Sequence, residues 1–130
     1  MQFKFVTKES NFAIITDLGF GSEYLLKSIR NLNSIVIECN HERELLDKSD
    51  YPETLKNRIG GKYGHLNNKE AARILKSLKK NNLNFIGAAH LSEKNNDPYL
   101  VKRGLSSAVD KDESFIKIID QDEGLNWTTV

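Results

Sequence analysis

At 130 residues, with 38% hydrophobic and 28% charged content, the chain is long enough to bury one core, and its composition excludes collagen, bulk disorder and a membrane span. Nineteen Lys and Arg nearly cancel eighteen Asp and Glu, so no global field draws nucleic acid to it, although a local basic face is compatible with that balance. A single cysteine, Cys39, excludes an internal disulfide, and the Met-Gln-Phe-Lys-Phe-Val start lacks the apolar stretch of a signal peptide, so the expectation is a cytoplasmic protein with a buried, inert thiol and no membrane partner.

Phe3 and Phe5, then Phe12 and Ile14, alternate on either side of a polar Lys-Glu-Ser-Asn stretch and predict a hairpin whose second strand runs on to Asp17. Gly19 and Gly21 break that strand, Ser22 can cap a helix with Glu23 in its first turn, and Leu25, Leu26 and Ile29 form a helical stripe ending near 31–33. Ser34 to Glu38 reads as a short buried strand and His41 to Lys48 as a helix, whereas Tyr51-Pro52, Gly60, Gly61 and Gly64 mark an irregular stretch with room for one helical turn. Asn67 or Asn68 caps a further helix, in which Ala71, Ile74, Leu75 and Leu78 fall on one face and Lys79-Lys80 suit the C-terminal end. Leu83 to Ala89 reads as a second buried strand, Asp97-Pro98 opens a helix, and Phe115 to Ile119 alternates like a terminal strand. Strands and helices alternate, which predicts α/β with some strands parallel, in one unit without linker, repeat or low-complexity tract.

The chain has three histidines, each at the polar end of an element: His41 after Ile35-Val-Ile-Glu-Cys-Asn, His65 in a glycine-flanked loop, and His90 after Phe85-Ile-Gly-Ala-Ala. Asp17 holds the equivalent place after Ala13-Ile-Ile-Thr. Ligands of open α/β sheets gather at the carboxyl ends of strands, so these side chains can converge there, and imidazole with carboxylate is what zinc or manganese requires. Read from the residues alone, each histidine can equally be a loop or cap residue. A rival constellation begins at the same place: Asp17-Leu-Gly19-Phe-Gly21-Ser opens a helix, and Glu38 ends the next strand, an arrangement that can cradle a nucleotide or S-adenosylmethionine. Its third glycine is missing and Glu23 would oppose a phosphate, so a plain strand-to-helix turn competes with it. Arg73, Lys76, Lys79 and Lys80 read as a solvated helical face, and nucleic-acid binding does not follow from them alone.

Four segments, in order, resemble the C-terminal half of metallo-β-lactamase-fold proteins of the YycJ (WalJ) type, relatives of phosphoribosyl cyclic phosphodiesterase. They are Ile14-Ile-Thr-Asp17-Leu-Gly19; Ile37-Glu-Cys-Asn-His41; Tyr51-Pro with Arg58-Ile and Gly64-His65-Leu-Asn-Asn68; and Ala89-His90-Leu-Ser92 with Asn95-Asn96. The resemblance covers essentially the whole chain. It implies that Asp17 bridges two divalent metal ions, zinc or manganese, and that His90 binds one of them. It also implies that His65 is the general acid for a leaving alkoxide, a role that suits an imidazole with an ordinary pKa of about 6.5. His41 resembles a further site histidine that positions substrate or supports metal. The implied reaction is metal-dependent phosphodiester hydrolysis, with DNA ends or a small cyclic phosphate as substrate.

Two departures from the family pattern matter. Asn67 stands where the family has serine, and its amide can still cap the next helix. The family's His-x-His-x-Asp-His segment lies upstream of the Asp17 segment, and no His-x-His occurs in this chain. The expected architecture is therefore α/β, one mixed sheet with helices over 1–130, corresponding to the C-terminal half of an αββα sandwich and carrying an exposed apolar sheet face. The expected partners are a phosphodiester substrate and either a separate N-terminal half or a second copy docked on that face. Alone, the chain is expected to bind metal weakly and turn over little; a non-enzymatic truncated remnant and a nucleotide or S-adenosylmethionine module are the alternative readings.

Overall fold

The computed structural model describes residues 1–130. Five strands, β1 (Gln2–Val6), β2 (Asn11–Ile15), β3 (Ser34–Glu38), β4 (Phe85–Ala89) and β5 (Ile116–Ile118), form one mixed sheet in the order β1-β2-β3-β4-β5. The first pair is the predicted antiparallel hairpin, and β2, β3, β4 and β5 run parallel. Five helices connect them: α1 (Glu23–Ile29), α2 (Arg43–Lys48), α3 (Glu53–Ile59), α4 (Asn68–Lys76) and α5 (Pro98–Val109).

Three helix starts follow from a local polar contact. Ser22 accepts from the Leu25 N–H, Asn67 from Glu70 and Asp97 from Tyr99, so three orphaned N–H groups are satisfied by side chains of the expected type. The amide at Asn67 thus does cap α4 in place of a hydroxyl. Two boundaries differ from expectation. The irregular stretch holds a full helix, α3, because Pro52 precedes it with a fixed φ and Glu53 sits in its first turn. Helix α2 begins only at Arg43, because His41 instead pairs with Asn67 in an isolated parallel bridge.

One sheet face carries the core. Ile15, Ile35, Ile37, Ile86 and Ile116 belong to the buried cluster that also holds Ile29 of α1, Ile74 and Leu75 of α4, and Val101 and Leu105 of α5. On the opposite face Phe3 and Phe5 are about half exposed, at 50% and 51%, and Phe5 stacks on Phe12 at 5.9 Å. A groove of about 460 Å³ on that side is bounded by Phe12, Val36, Phe85 and the C-terminal Leu125 and Trp127. No helix is long and apolar enough to cross a membrane. Cys39 is fully buried behind β3, and burial pushes its thiol pKa up, as expected of an inert core cysteine.

Leu75→Ala empties the centre of the α4 contact and is expected to cost about 2–5 kcal/mol, read as a lower urea midpoint at unchanged slope. A loss under about 1 kcal/mol would show that α4 is not seated on the sheet as described.

Candidate metal centre and its acid–base pair

The parallel register sets Ile15 beside Ile37 and Glu38 beside Ala89, so the carboxyl ends of β2, β3 and β4 lie at one edge. Three polar side chains emerge there: Asp17 just past β2, Glu38 as the last residue of β3, and His90 as the first after β4. Asp17 (φ 53°) and His90 (φ 58°) both adopt the left-handed conformation, which disfavours residues bearing a Cβ and persists only where the surroundings impose it.

Those surroundings are identifiable. The Leu18 N–H donates to Glu38 Oε2 at 3.3 Å, and Asn40 Nδ2 donates to the His90 carbonyl at 3.1 Å. A Cβ at Gly19 would collide with the Gly61 carbonyl oxygen, so only glycine lets the Asp17 loop rest on the loop that leads to His65. The Gly21 N–H donates to Glu70 at 3.0 Å, while Arg73 donates to the Gly21 carbonyl at 2.5 Å and pairs with Glu70 at 2.7 Å. The glycines that the nucleotide-module reading needs to be open are therefore packed against backbone or held by a carboxylate where a phosphate would sit.

Ligand atoms of Asp17, Glu38 and His90 all lie within 4.8 Å of one another. His90 Nδ1 is 3.5 Å from Glu38 Oε1 and 3.9 Å from Asp17 Oδ1. Two carboxylates and one imidazole are a donor set that fits a divalent ion such as zinc or manganese. The side chains of Asp17 and His90 are about half exposed, at 52% and 46%, so ligands from elsewhere can reach the same point.

Glu38 is wholly buried and has a second role. Its Oε1 lies 2.6 Å from His65 Nδ1, and its Oε2 accepts from the Leu18 N–H and, at 3.5 Å, from that of Leu66. A carboxylate accepts, so the proton of the short bond sits on Nδ1 and Nε2 remains free for exchange at the cleft that His65 lines.

The structure thus brings together Asp17, His65 and His90, adds Glu38, and leaves His41 apart. The His41 ring is buried at 0% exposure and neither nitrogen has a hydrogen-bond partner. Burial, and then the charges of Arg43 and His65, lower its pKa to about 4. A ring with no accessible surface does not touch substrate, so direct substrate positioning by His41 is not what this geometry offers. Its backbone instead anchors the start of α4, where the Asn68 N–H donates to the His41 carbonyl at 3.0 Å. Nearby, Asn68 and Asn96 exchange side-chain hydrogen bonds at 2.8 and 2.9 Å, and Asn96 also donates to the Cys39 carbonyl at 2.7 Å. These asparagines tie the exit of β3 to the segment after His90.

No family model matches the chain. It is 32% identical over 111 residues to the exodeoxyribonuclease YycJ of Bacillus anthracis, covering 85% of this chain and 42% of that protein. It is 32% identical over 94 residues to the exodeoxyribonuclease WalJ of Streptococcus pneumoniae D39, covering 72% of this chain and 35% of that one. Among solved structures, the metallo-β-lactamase fold protein YhfI from Bacillus subtilis superposes with a TM-score of 0.63 at 15% identity, over 95% of this chain and 42% of YhfI. The chain therefore spans less than half the length of the relatives it matches, and its mixed sheet and helices match the metallo-β-lactamase fold over that part.

Because His41 has a folded-state pKa of about 4 against an ordinary 6.5, the unfolded chain takes up a proton first as pH falls. Stability contributed by the neutral ring is complete above 6.5 and is lost as pH falls toward 4, by ~3 kcal/mol in all. Urea unfolding across that window should show this slope in the wild type and a flatter one in His41→Gln; equal slopes would show that the ring is not buried neutral.

Proposed function

We propose that this relative of the YycJ and WalJ exonucleases is part of a metal-dependent hydrolase of phosphodiester bonds, in which residues 1–130 supply one side of the site. The observation that carries the reading is the convergence of Asp17, Glu38 and His90 at three adjacent strand ends, with His65 held beside them by Glu38. Both named relatives are exodeoxyribonucleases, which favours a DNA strand end over a small cyclic phosphate as substrate.

Asp17 and His90 are the residues that would hold metal in this reading, and Glu38, whose ligand atom lies within 4.8 Å of theirs, would add a third donor. Divalent cations held there, zinc or manganese, would supply Lewis acidity that offsets the negative charge developing on the phosphoryl oxygens. His65 is the general acid: Glu38 accepts the Nδ1 proton, so the doubly protonated ring gives its Nε2 proton to the leaving alkoxide and returns to the neutral Nδ1–H tautomer. His41 supports the site only through the backbone of the loop that begins α4.

Three donors on one edge are too few for two ions, each of which ordinarily takes three or more protein ligands. The remaining ligands come from outside residues 1–130, from a preceding segment of a longer chain or from a separate polypeptide. The aromatic sheet face of Phe3, Phe5 and Phe12 is the apolar surface against which that second half packs. A single partial domain with weak metal affinity of its own follows from this division.

Calorimetric titration of zinc and manganese tests the ligand assignment. Asp17→Asn and His90→Gln are each expected to weaken binding by at least the roughly 10- to 100-fold that loss of a mere supporting residue costs. His65→Gln should leave metal affinity nearly unchanged, yet lower turnover by about 10²–10⁴ once the N-terminal segment of a relative is supplied. Wild-type affinity in both ligand variants would overturn the proposal.

A further inference from the structure

Beside the candidate centre lies a cleft of about 480 Å³, lined by Asp17, His65, Leu55, Ile59, Arg58 and Tyr63. That volume suits a ligand of nucleotide size. Two of its side chains are not used by the chain itself. Arg58 is exposed and takes part in none of the ion pairs, although it stands in the same cleft as Asp17 and His65. Tyr63 is 95% exposed, and Lys62 stands near it, with Nζ 6.0 Å from the ring centroid.

The backbone that carries the ring is nevertheless a tight turn. The Gly64 N–H donates to the Gly61 carbonyl at 2.9 Å and the His65 N–H to the Ile59 carbonyl at 2.8 Å. A Cβ at Gly64 would collide with the Ile59 carbonyl oxygen, so the backbone is folded tightly on α3 and directs the tyrosine outward. Tyr24, Tyr99 and Trp127 are also exposed, but none lines this cleft. An unpaired guanidinium in one cleft with an exposed aromatic ring is the pairing that recognises a nucleotide: the cation takes a phosphate and the ring stacks on a base.

We propose that this cleft is a subsite for one unstacked nucleotide of a single-stranded end, with Arg58 binding the phosphate next to the scissile one and Tyr63 stacking on the base; it rests on the phosphodiesterase reading above. Stacking needs a base free of its duplex partner, so the subsite takes single-stranded ends and gives no advantage to a base-free cyclic phosphate. Lys62 adds positive charge at the rim without fixing geometry.

The test is fluorescence anisotropy of the 130-residue chain with fluorescein-labelled oligothymidylate, the matching oligouridylate and an abasic strand of equal length, in chelator and at several salt concentrations. Tyr63→Ala is expected to weaken oligothymidylate binding by roughly 5- to 100-fold, Tyr63→Phe to retain it, and the abasic strand to be indifferent to both. Arg58→Ala should reduce the salt slope by about one for every strand. Both side chains are exposed, so melting temperatures should not move; Tyr24→Ala serves as an exposed control. Equal loss with the uridylate extends the subsite to RNA, and loss with the thymidylate alone restricts it to DNA. No binding by the wild type, or unchanged binding in Tyr63→Ala and Arg58→Ala, overturns the proposal. Chelator keeps the outcome independent of the metal titration. If Tyr63 matters but Asp17 and His90 do not hold metal, the hydrolase reading falls and the cleft is a nucleotide-binding site with no scissile phosphate beside it; if they hold metal but Tyr63 and Arg58 do not matter, the hydrolase reading stands and the subsite falls.

Discussion

A buried carboxylate must be satisfied on every side, and Glu38 is the group on which this molecule's polar edge depends. It ends a strand whose other residues are almost all buried, with no exposed surface of its own. Its partners come from two different loops: the Leu18 N–H from the turn after β2, and the Leu66 N–H and His65 ring from the segment before α4. Neither loop can move away without leaving a buried carboxyl oxygen unsatisfied, a cost of about 1–3 kcal/mol for each lost partner. The same carboxylate thus fixes where Asp17 emerges and which nitrogen of His65 is free. Parallel pairing of β3 with β4 then brings His90 to the same point.

Strain is concentrated at this edge and held by contacts behind it. Asp17 and His90 are left-handed, and so is Asp110, which caps the end of α5 away from the cluster. The first two are kept in place by the Gly19 contact with Gly61, the Glu70–Arg73 clamp on Gly21 and the Asn40 bond to the His90 carbonyl. Arg73 also lies 4.9 Å over the Phe20 ring, so the clamp is packed as well as charged. The helix that carries Glu70 and Arg73 also sends Ala71, Ile74 and Leu75 into the core, which couples its packing to the geometry of Asp17. The charge pattern of α4 alone would assign its basic residues to solvent; Arg73 instead serves the turn beneath it.

Much of this was legible in the sequence, because the elements are short and sharply bounded. Ser34–Glu38 is an apolar run ending in an acid, Asn67 and Asp97 are caps of the expected kind, and the α4 stripe has helical period. The convergence of Asp17 with His90 was also legible, since parallel strands place their carboxyl ends together. What was not legible was long-range. The partnership of Glu38 with His65 spans 27 residues and no local period announces it; the available signal was an acid closing an apolar strand, which must find a partner. The burial of His41 was illegible for a similar reason. This histidine stands near a strand end like His90, but its bridge to Asn67 leaves the ring buried, and that depends on how α4 packs. Helix α3 was hidden by the glycines that follow it.

The edge carries half-exposed Asp17 and His90 side chains, and the aromatic face of Phe3 and Phe5 stands open beside the sheet; a site shared with a second half, as proposed above, would account for both. Metal binding at this edge is best seen residue by residue, through paramagnetic broadening of backbone amide signals as Mn²⁺ is added to the metal-free chain. Broadening should begin at Asp17–Leu18, Glu38–Cys39 and His90–Leu91, three sequence-distant sites at one edge, and should vanish together in Asp17→Asn. Broadening confined to the acidic 110–113 or 120–123 segments, with the three strand ends untouched, would contradict the metal centre placed here.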